Sequence, residues 1–296
     1  MDITDTYVGH KIFFIWGKEL SNKVIEEYFV RAGCSVILAI VVFFVHAPIN
    51  AKESKPSKMM ALISEGSFTM GSNVGPDDEK PQHTVYVKSF HLDILPVSNA
   101  DFAQFLNDKG LKNQQGESFY DDDDGDARIH RQNSTWRADL GYESHPVNEV
   151  SWVGARDYCT WLNKRLPTEA EWEKAARGTD GRKYPWGNAA PNAKLAHFGA
   201  PFNSSAPREA FPEGASPYGI LDMAGNQWEW VSSAYQAYPY KSDDGRENQN
   251  TGPIRSTRGG GHDSPPQEIT TTQRGKYLSR SPKAGHHNIG FRCAGS

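Results

Sequence analysis

The sequence predicts a loop-rich globular fold with short strands, few helices and many aromatic side chains in its core. The 296 residues include 27 glycines, 18 prolines and eight tryptophans, a combination that disfavours a helical bundle. An aromatic fraction of 11% and a net charge of only −4 are not typical of a disordered chain. The near-neutral charge also argues against nucleic acid as a partner, because such binders carry a basic surface.

Residues 1–51 are predicted to form a leader with a signal peptide. Residues 36–45 read VILAIVVFFV, which is too short for a membrane span of about 20 residues but fits the apolar region of a signal peptide. Cleavage after Ala51 would leave a protein without a stable membrane span. Residues 52–59 are expected to form a short linker between the leader and the domain that follows. We therefore expect an exported protein, periplasmic or extracellular. An uncleaved anchor or a buried core strand is the alternative for the apolar stretch.

Residues 60–296 are predicted to form a single domain, because no linker, repeat or low-complexity segment interrupts them. Alternating apolar residues predict short strands at 67–71 and 84–87, with turn residues between them. The chain after residue 178 is rich in turn residues and predicts short strands with little helix.

Three helices are predicted in the first half of this domain. Apolar residues at helical spacing follow Ser151, and Thr168 precedes two glutamates that favour a helix N-terminus. The hydroxyl groups of Ser151 and Thr168 are therefore expected to cap their helices. Asn99 or Asp101 is expected to cap the earliest helix.

Eight sequence blocks follow one another in an order that closely resembles the formylglycine-generating enzyme family, also called the sulfatase-modifying-factor domain. The blocks are SFTMG (67–71), HPV (145–147), VSW (150–152), KRLPTEAEWE (164–173), YPWGN (184–188), AGNQWEW (224–230), RGG (258–260) and GFRC (290–293). The resemblance covers nearly all of 60–296. It implies a single α+β domain of the C-type-lectin-like kind, with little regular secondary structure.

The founding members of this family resemble copper-dependent oxidases with a pair of active-site cysteines just after the RGG block. At the matching positions this sequence has Ser264 and Ile269. A hydroxyl is a poor ligand for Cu(I), and isoleucine offers no ligand atom. We therefore expect that the protein is not a true generator of formylglycine.

The resemblance also implies a disulfide between Cys159 and Cys293, which occupy positions that are linked in the founding enzymes. An exported protein permits such a bridge. Two buried free thiols are the alternative.

A calcium site is implied at Asp222, Gly225, Gln227 and Glu229, which match the ligand positions of a family calcium site. Two carboxylates and two backbone carbonyls on a tight turn suit this hard cation. The alternative is a glycine-centred turn whose acidic groups accept hydrogen bonds from backbone amides.

Candidate catalytic residues lie in two histidine-containing segments: His262, Asp263, Ser264, His286 and His287. The first segment occupies the position of the family's active-site loop. Imidazoles with a carboxylate can bind copper, iron or zinc, and His262 with Asp263 can serve in general acid–base catalysis. A purely structural role, with histidines bonded to loop carbonyls, is the third possibility.

Two further charged features are open to more than one interpretation. Arg274, Arg280 and Arg292 either hold an anionic ligand or pair with loop carboxylates. The acidic run 121–126 lacks the acidic residues that an EF-hand loop needs at its first and last positions, so a solvated loop with at most weak calcium affinity is expected.

These features favour an exported, oxidoreductase-like tailoring enzyme that uses the family's pocket without the cysteine pair. In this it resembles family members that act in siderophore maturation. Its substrate would be a peptide, a siderophore-like molecule or a protein. The alternative is a non-catalytic, calcium-stabilised, lectin-like binding module.

Overall fold

The computed structural model describes residues 59–250, 254–275 and 285–296. The predicted leader and residues 52–58 of the predicted linker lie outside the described residues, so the signal peptide stays a prediction. In the part of the chain that the structure describes, no helix combines the length and the apolar character needed to cross a membrane.

The fold is mixed α/β and loop-rich, as the resemblance implies. The helices are α1 (Asn99–Lys109), α2 (Trp152–Trp161) and α3 (Glu169–Arg177). The strands are β1 (Met60–Ile63), β2 (Gly66–Met70), β3 (His83–Val87), β4 (Phe90–Asp93), β5 (Ile129–Gln132), β6 (Thr135–Ala138), β7 (Trp228–Ala234), β8 (Arg255–Arg258), β9 (Ile289–Phe291) and β10 (Ala294–Gly295).

Hydroxyl side chains cap all three helices. Ser151 and Thr168 accept hydrogen bonds from the backbone amides three residues on, which confirms both predictions. The predicted caps of α1 are wrong, because Ser98 occupies that position. Its hydroxyl accepts from the amide of Asp101 and the Asp101 carboxylate accepts from the amide of Ser98, forming a capping box.

The strands form small sheets rather than one continuous sheet. Strands β2 and β3 pair as an antiparallel hairpin, which confirms the two predicted strands, and β5 pairs with β6. One three-stranded sheet has the order β1–β4–β10. The other has the order β8–β7–β9, with β8 antiparallel and β9 parallel to the central β7.

Aromatic side chains fill the core, as the composition predicts. Phe102 of α1 stacks on Tyr158 of α2, with ring centroids 5.6 Å apart, and Tyr158 meets Phe291 of β9 edge-on at 5.3 Å. All three rings are fully buried. Trp172 and Trp230 are also fully buried, in separate clusters that lie against α3 and β7. Ring contacts of this kind stabilise beyond the area they bury, by about 0.5–1.5 kcal/mol per pair.

The disulfide implied by the resemblance is present between Cys159 and Cys293. Their Cα atoms are 5.6 Å apart, and both residues are fully buried. The bridge links α2 covalently to the segment between β9 and β10. Both cysteines belong to the hydrophobic cluster that contains Phe102, Tyr158 and Phe291.

Candidate functional site

Two loops that are distant in sequence leave the β8–β7–β9 sheet at the same end. Arg258, the last residue of β8, lies opposite Glu229 near the start of β7. Ile289, the first residue of β9, lies opposite Trp228, the first residue of β7. The segment that follows β8 and the segment that precedes β9 are therefore neighbours, because the central strand aligns their ends.

This alignment brings His262, Asp263 and His287 together. One nitrogen or oxygen atom from each side chain lies within 4.8 Å of the others. His287 Nε2 is 3.3 Å from Asp263 Oδ2, and these two side chains are 21% and 33% exposed. His262 is fully buried beneath them. The cluster thus has one buried ligand and two that solvent can reach.

The hydrogen bonds of His262 leave one ring nitrogen free. Nδ1 lies 3.0 Å from the carbonyl oxygen of Asn226, so the proton is assigned to Nδ1, which donates. Nε2 is buried and has no hydrogen-bond partner among the residues described. Burial lowers the pKa of His262 and so favours the neutral ring. A neutral imidazole with a free Nε2, oriented by a backbone carbonyl, is the usual form of a metal-bound histidine.

Asp263 is held in its charged form. The hydrogen bond with His287 lowers the pKa of Asp263 to about 2, and hydrogen bonds from Asn288 add to this effect. Nδ2 of Asn288 donates to Oδ1 at 3.1 Å and to Oδ2 at 3.2 Å. The ring of Phe202 lies 4.0 Å from that of His287. The carboxylate and the second imidazole are therefore both fixed in orientation.

A cleft of about 520 Å³ opens beside the cluster. Asp263, His287 and Asn288 line it together with Trp228 and Arg274. An ion held by the cluster would face this cleft through its Asp263 and His287 side.

The other two candidate residues, Ser264 and His286, lie outside the cluster. The Ser264 hydroxyl accepts a hydrogen bond from the backbone amide of Gly261 and so stabilises the loop. The His286 ring is directed towards Trp230, with centroids 6.4 Å apart. Ile269, at the second cysteine position of the family, is fully buried in a small apolar cluster.

The predicted calcium loop is buried, and protein donors already occupy its glutamate. Arg292 donates to both carboxylate oxygens of Glu229, and Trp172 Nε1 donates to Oε2 at 2.8 Å. Asp222 Oδ2 accepts from Asn226 Nδ2 at 3.0 Å, and burial raises the pKa of Asp222 to about 7. Calcium would have to share the Glu229 carboxylate with Arg292, so the carboxylates present fit the ion poorly.

Gly225 and Gln227, which were expected to offer backbone carbonyls to calcium, lie in the same buried turn. The Gly225 amide donates to the carbonyl of Gly259 at 2.9 Å, which holds the turn against the loop after β8. Gln227 Nε2 donates to the carbonyl of His287 at 3.4 Å. Binding of calcium by this loop stays a prediction.

Arg274 and Arg292 form buried ion pairs with carboxylates, which is the second of the two roles left open by the sequence, although the carboxylates lie on α3 and β7 rather than on loops. Arg274 Nε donates to Glu169 at 2.7 Å, and Arg292 is paired with Glu229 as described above. Arg280 lies outside the described residues.

Glu149 is a candidate site residue that no pattern in the sequence predicts. Its carboxylate lies with those of Asp124 and Asp126 in a second group, in which one oxygen from each lies within 4.8 Å of the others. The acidic run was visible in the sequence, but a buried glutamate two dozen residues later was not. Asn226 and Asn288, which orient the histidine cluster, were also missed, although Asn288 directly follows His287.

The sequence of this chain matches the pattern of a known family over most of its length. The sequence pattern described as the sulfatase-modifying factor enzyme 1-like domain matches residues 46–296. The chain therefore belongs to the family of formylglycine-generating enzymes and sulfatase-modifying factors.

Individual proteins agree with that assignment. The chain is 33% identical, over 91% of its length, to the serine/threonine-protein kinase pkn1 of Chlamydia caviae, and 34% identical, over 79% of its length and 87% of the relative, to the inactive Cα-formylglycine-generating enzyme 2 of Bos taurus. It spans only 40–44% of the length of the chlamydial relatives. The solved structure of PvdO from Pseudomonas aeruginosa superimposes with a TM-score of 0.63 at 25% identity, covering 80% of this chain and 94% of PvdO.

Proposed function

We propose that this protein is an exported tailoring oxidoreductase in which His262, Asp263 and His287 hold a redox-active metal ion in place of the family's cysteine pair. The observation that carries the proposal is the meeting of these three side chains beside the cleft. Two imidazoles and one carboxylate are the ligand set of non-haem iron oxygenases, so iron fits better than Cu(I), which prefers thiolates.

The residues around the cluster support this role. Asn226 fixes the His262 tautomer that leaves Nε2 free, and Asn288 orients the Asp263 carboxylate. At neutral pH, His262 is neutral and Asp263 is charged, which are the protonation states that bind a metal. When bound, the ion would supply one-electron redox chemistry. The three side chains would hold it beside the cleft, and the buried His262 would exclude water from the side of the ion that faces the protein interior.

The substrate class follows from the cleft. About 520 Å³ is enough for a few residues of a peptide or for a small siderophore-like molecule, and charged groups such as Arg274 and Glu268 lie on the walls. A peptide, a siderophore-like molecule or an exposed loop of a protein are therefore the substrates we propose.

Export is supported by the disulfide and by the apolar segment at 36–45. A structural disulfide such as Cys159–Cys293 persists in an oxidising compartment and is rare in the cytosol. We propose the periplasm or the extracellular space as the place of action.

The test is the metal content of the full chain. The purified protein is stripped, loaded with Fe(II) or Cu(II), desalted and analysed by mass spectrometry of the metals. We expect about one iron or copper ion per chain, lost in His262→Ala and in Asp263→Asn. Asn288→Ala should weaken binding by about 10–100-fold, as removal of an orienting partner does.

The matched control is His130→Ala, because His130 lies in the β5–β6 hairpin and contacts Asp139 rather than the cluster. It should bind metal as the wild-type protein does. A wild-type protein that retains neither metal would overturn the proposal.

The second candidate function is a non-catalytic binding module. Ser264 and Ile269 replace the cysteine pair and both have structural roles, and one relative is named as an inactive enzyme. This function requires that loaded protein consumes no oxygen with any peptide or siderophore-like substrate. Oxygen consumption that depends on His262 would exclude it.

A further inference from the structure

We infer that Asp124, Asp126 and Glu149 form a calcium site that is separate from both sites discussed above. Asp124 and Asp126 belong to the acidic loop between α1 and β5, and Glu149 lies just before the Ser151 cap of α2. One carboxylate oxygen of each lies within 4.8 Å of the others. Oxygens that bind one calcium ion at 2.3–2.6 Å are at most about 5 Å apart, so the three can share an ion.

Glu149 is the residue that points to a ligand. It is 2% exposed, and the charged groups that act on its carboxylate in the described part of the chain are other carboxylates, those of Asp124, Asp121 and Asp126, rather than a cation. Its backbone is fixed on both sides: the Glu149 amide donates to the His286 carbonyl at 3.0 Å, and the Glu149 carbonyl accepts from the Asp121 amide at 2.9 Å. A carboxylate on a buried residue among other carboxylates is costly to ionise, and a bound cation removes that cost.

A second buried oxygen nearby is also without a partner. Asn148 is 2% exposed, and its Nδ2 donates to the carbonyl of Asp126 at 2.7 Å, which places its side chain against the acidic loop. Its Oδ1 has no partner among the described residues. Asn203 Nδ2 donates to Asp126 Oδ1 at 2.9 Å and so orients that carboxylate. A buried amide oxygen without a partner, on a side chain held against the acidic loop, is a suitable further ligand for calcium.

The local charge favours a cation. Burial is the main cause that raises the pKa of Glu149 to about 8, and the carboxylates of Asp124, Asp121 and Asp126 add to it. By contrast, the buried glutamates Glu169 and Glu229 each pair with an arginine. Glu149 therefore lacks the counter-charge that the fold gives to Glu169 and Glu229.

The ligand set selects the ion. All donors are oxygens, which hard cations prefer, and the exposed side of Asp124 leaves room for waters to complete six to eight ligands. Mg²⁺ demands a tighter octahedral arrangement, so calcium fits three carboxylates from two separate loops better.

The test uses the full chain, stripped with EDTA and then titrated with calcium chloride in a calorimeter and in thermal unfolding. We expect calcium to raise the unfolding midpoint by at least about 2–4 °C. Glu149→Gln and Asp124→Asn should each weaken calcium binding by at least about tenfold, since affinity follows the number of charged ligands. In EDTA, Glu149→Gln should be at least as stable as the wild type, which shows that the substitution itself does not damage the fold.

Two further variants locate the ion. Asp123→Asn removes an exposed charge from the same acidic run and should leave the calcium response unchanged. In Asp222→Asn, which tests the other predicted calcium loop, the part of the response that Glu149→Gln abolishes should persist. An equal calcium response in Glu149→Gln and wild type, or none in the wild type at 5 mM, would overturn the inference. Loss of the response in Asp222→Asn alone would assign the ion to that loop and overturn it as well.

Discussion

The guanidinium group of Arg292 donates hydrogen bonds to both carboxylate oxygens of Glu229. Its Nη2 donates to Oε1 at 2.6 Å and its Nε donates to Oε2 at 2.8 Å, in a pair that is almost fully buried. Trp172 Nε1 donates to the same carboxylate. Residues from β7, α3 and the end of the chain are thus joined at one charged centre.

Glu229→Gln is expected to destabilise the protein by about 3–5 kcal/mol, because it leaves the Arg292 guanidinium buried without a counter-charge. Urea unfolding followed by circular dichroism measures the change. Since Arg292 already neutralises Glu229, the loss should be the same in calcium and in EDTA. A loss seen only in calcium would instead make Glu229 a calcium ligand.

Removal of the disulfide should lower the free energy of unfolding by about 2–5 kcal/mol. The bridge joins two residues that are 134 positions apart, and closing so long a loop restricts the unfolded chain. The double variant Cys159→Ala with Cys293→Ala is compared with the wild type in urea. A reducing agent should lower the wild-type midpoint and leave that of the double variant unchanged. Equal effects of the reducing agent on both proteins would contradict this role of the bridge.

Glu169 forms buried ion pairs with both Arg274 and Arg258. This arrangement predicts that the folded protein becomes less stable in acid. Burial by itself raises the pKa of Glu169, but Arg274 and Arg258 outweigh it, so that the folded-state pKa is lowered. A lowered pKa contributes stability above the unfolded value of about 4.3, and this contribution is lost as the pH falls through the folded-state pKa.

Glu169→Gln should therefore cost about 3–5 kcal/mol at pH 7, and the difference from wild type should shrink below about pH 4. Unfolding curves from pH 3 to pH 7 measure it. Asp180→Asn is the control, since the Asp180–Arg182 pair lies at the surface and should contribute less than about 1 kcal/mol. A difference for Glu169→Gln that does not depend on pH would contradict the assignment.

Gly260 shapes the loop that carries His262. Its φ is +79°, and a Cβ there would lie 2.5 Å from the carbonyl oxygen of Glu268. Gly110 has the same φ, but a Cβ there meets nothing within 4 Å. Gly110→Ala should thus cost only the backbone strain, about 1 kcal/mol, whereas Gly260→Ala should cost more and weaken metal binding by His262. Equal losses in the two variants, measured by thermal unfolding, would show that the clash is relieved.

The sequence by itself determined the elements that depend on near neighbours. The hydroxyl caps at Ser151 and Thr168 and the hairpin of β2 and β3 follow from residues within a few positions of each other. The ordered blocks determined the family, and through it the Cys159–Cys293 bridge. The error at α1 was one to three residues wide, because Ser98, Asn99 and Asp101 are all good capping residues.

Only the tertiary structure decided which distant side chains meet. It selected His262, Asp263 and His287 from five candidates, because β7 aligns the end of β8 with the start of β9. It paired Arg274 and Arg292 with buried glutamates rather than with a ligand. It also placed Glu149 beside Asp124 without a counter-charge. Periodicity and spacing report on local backbone structure, whereas electrostatic pairing depends on distances through space, which only the folded chain sets.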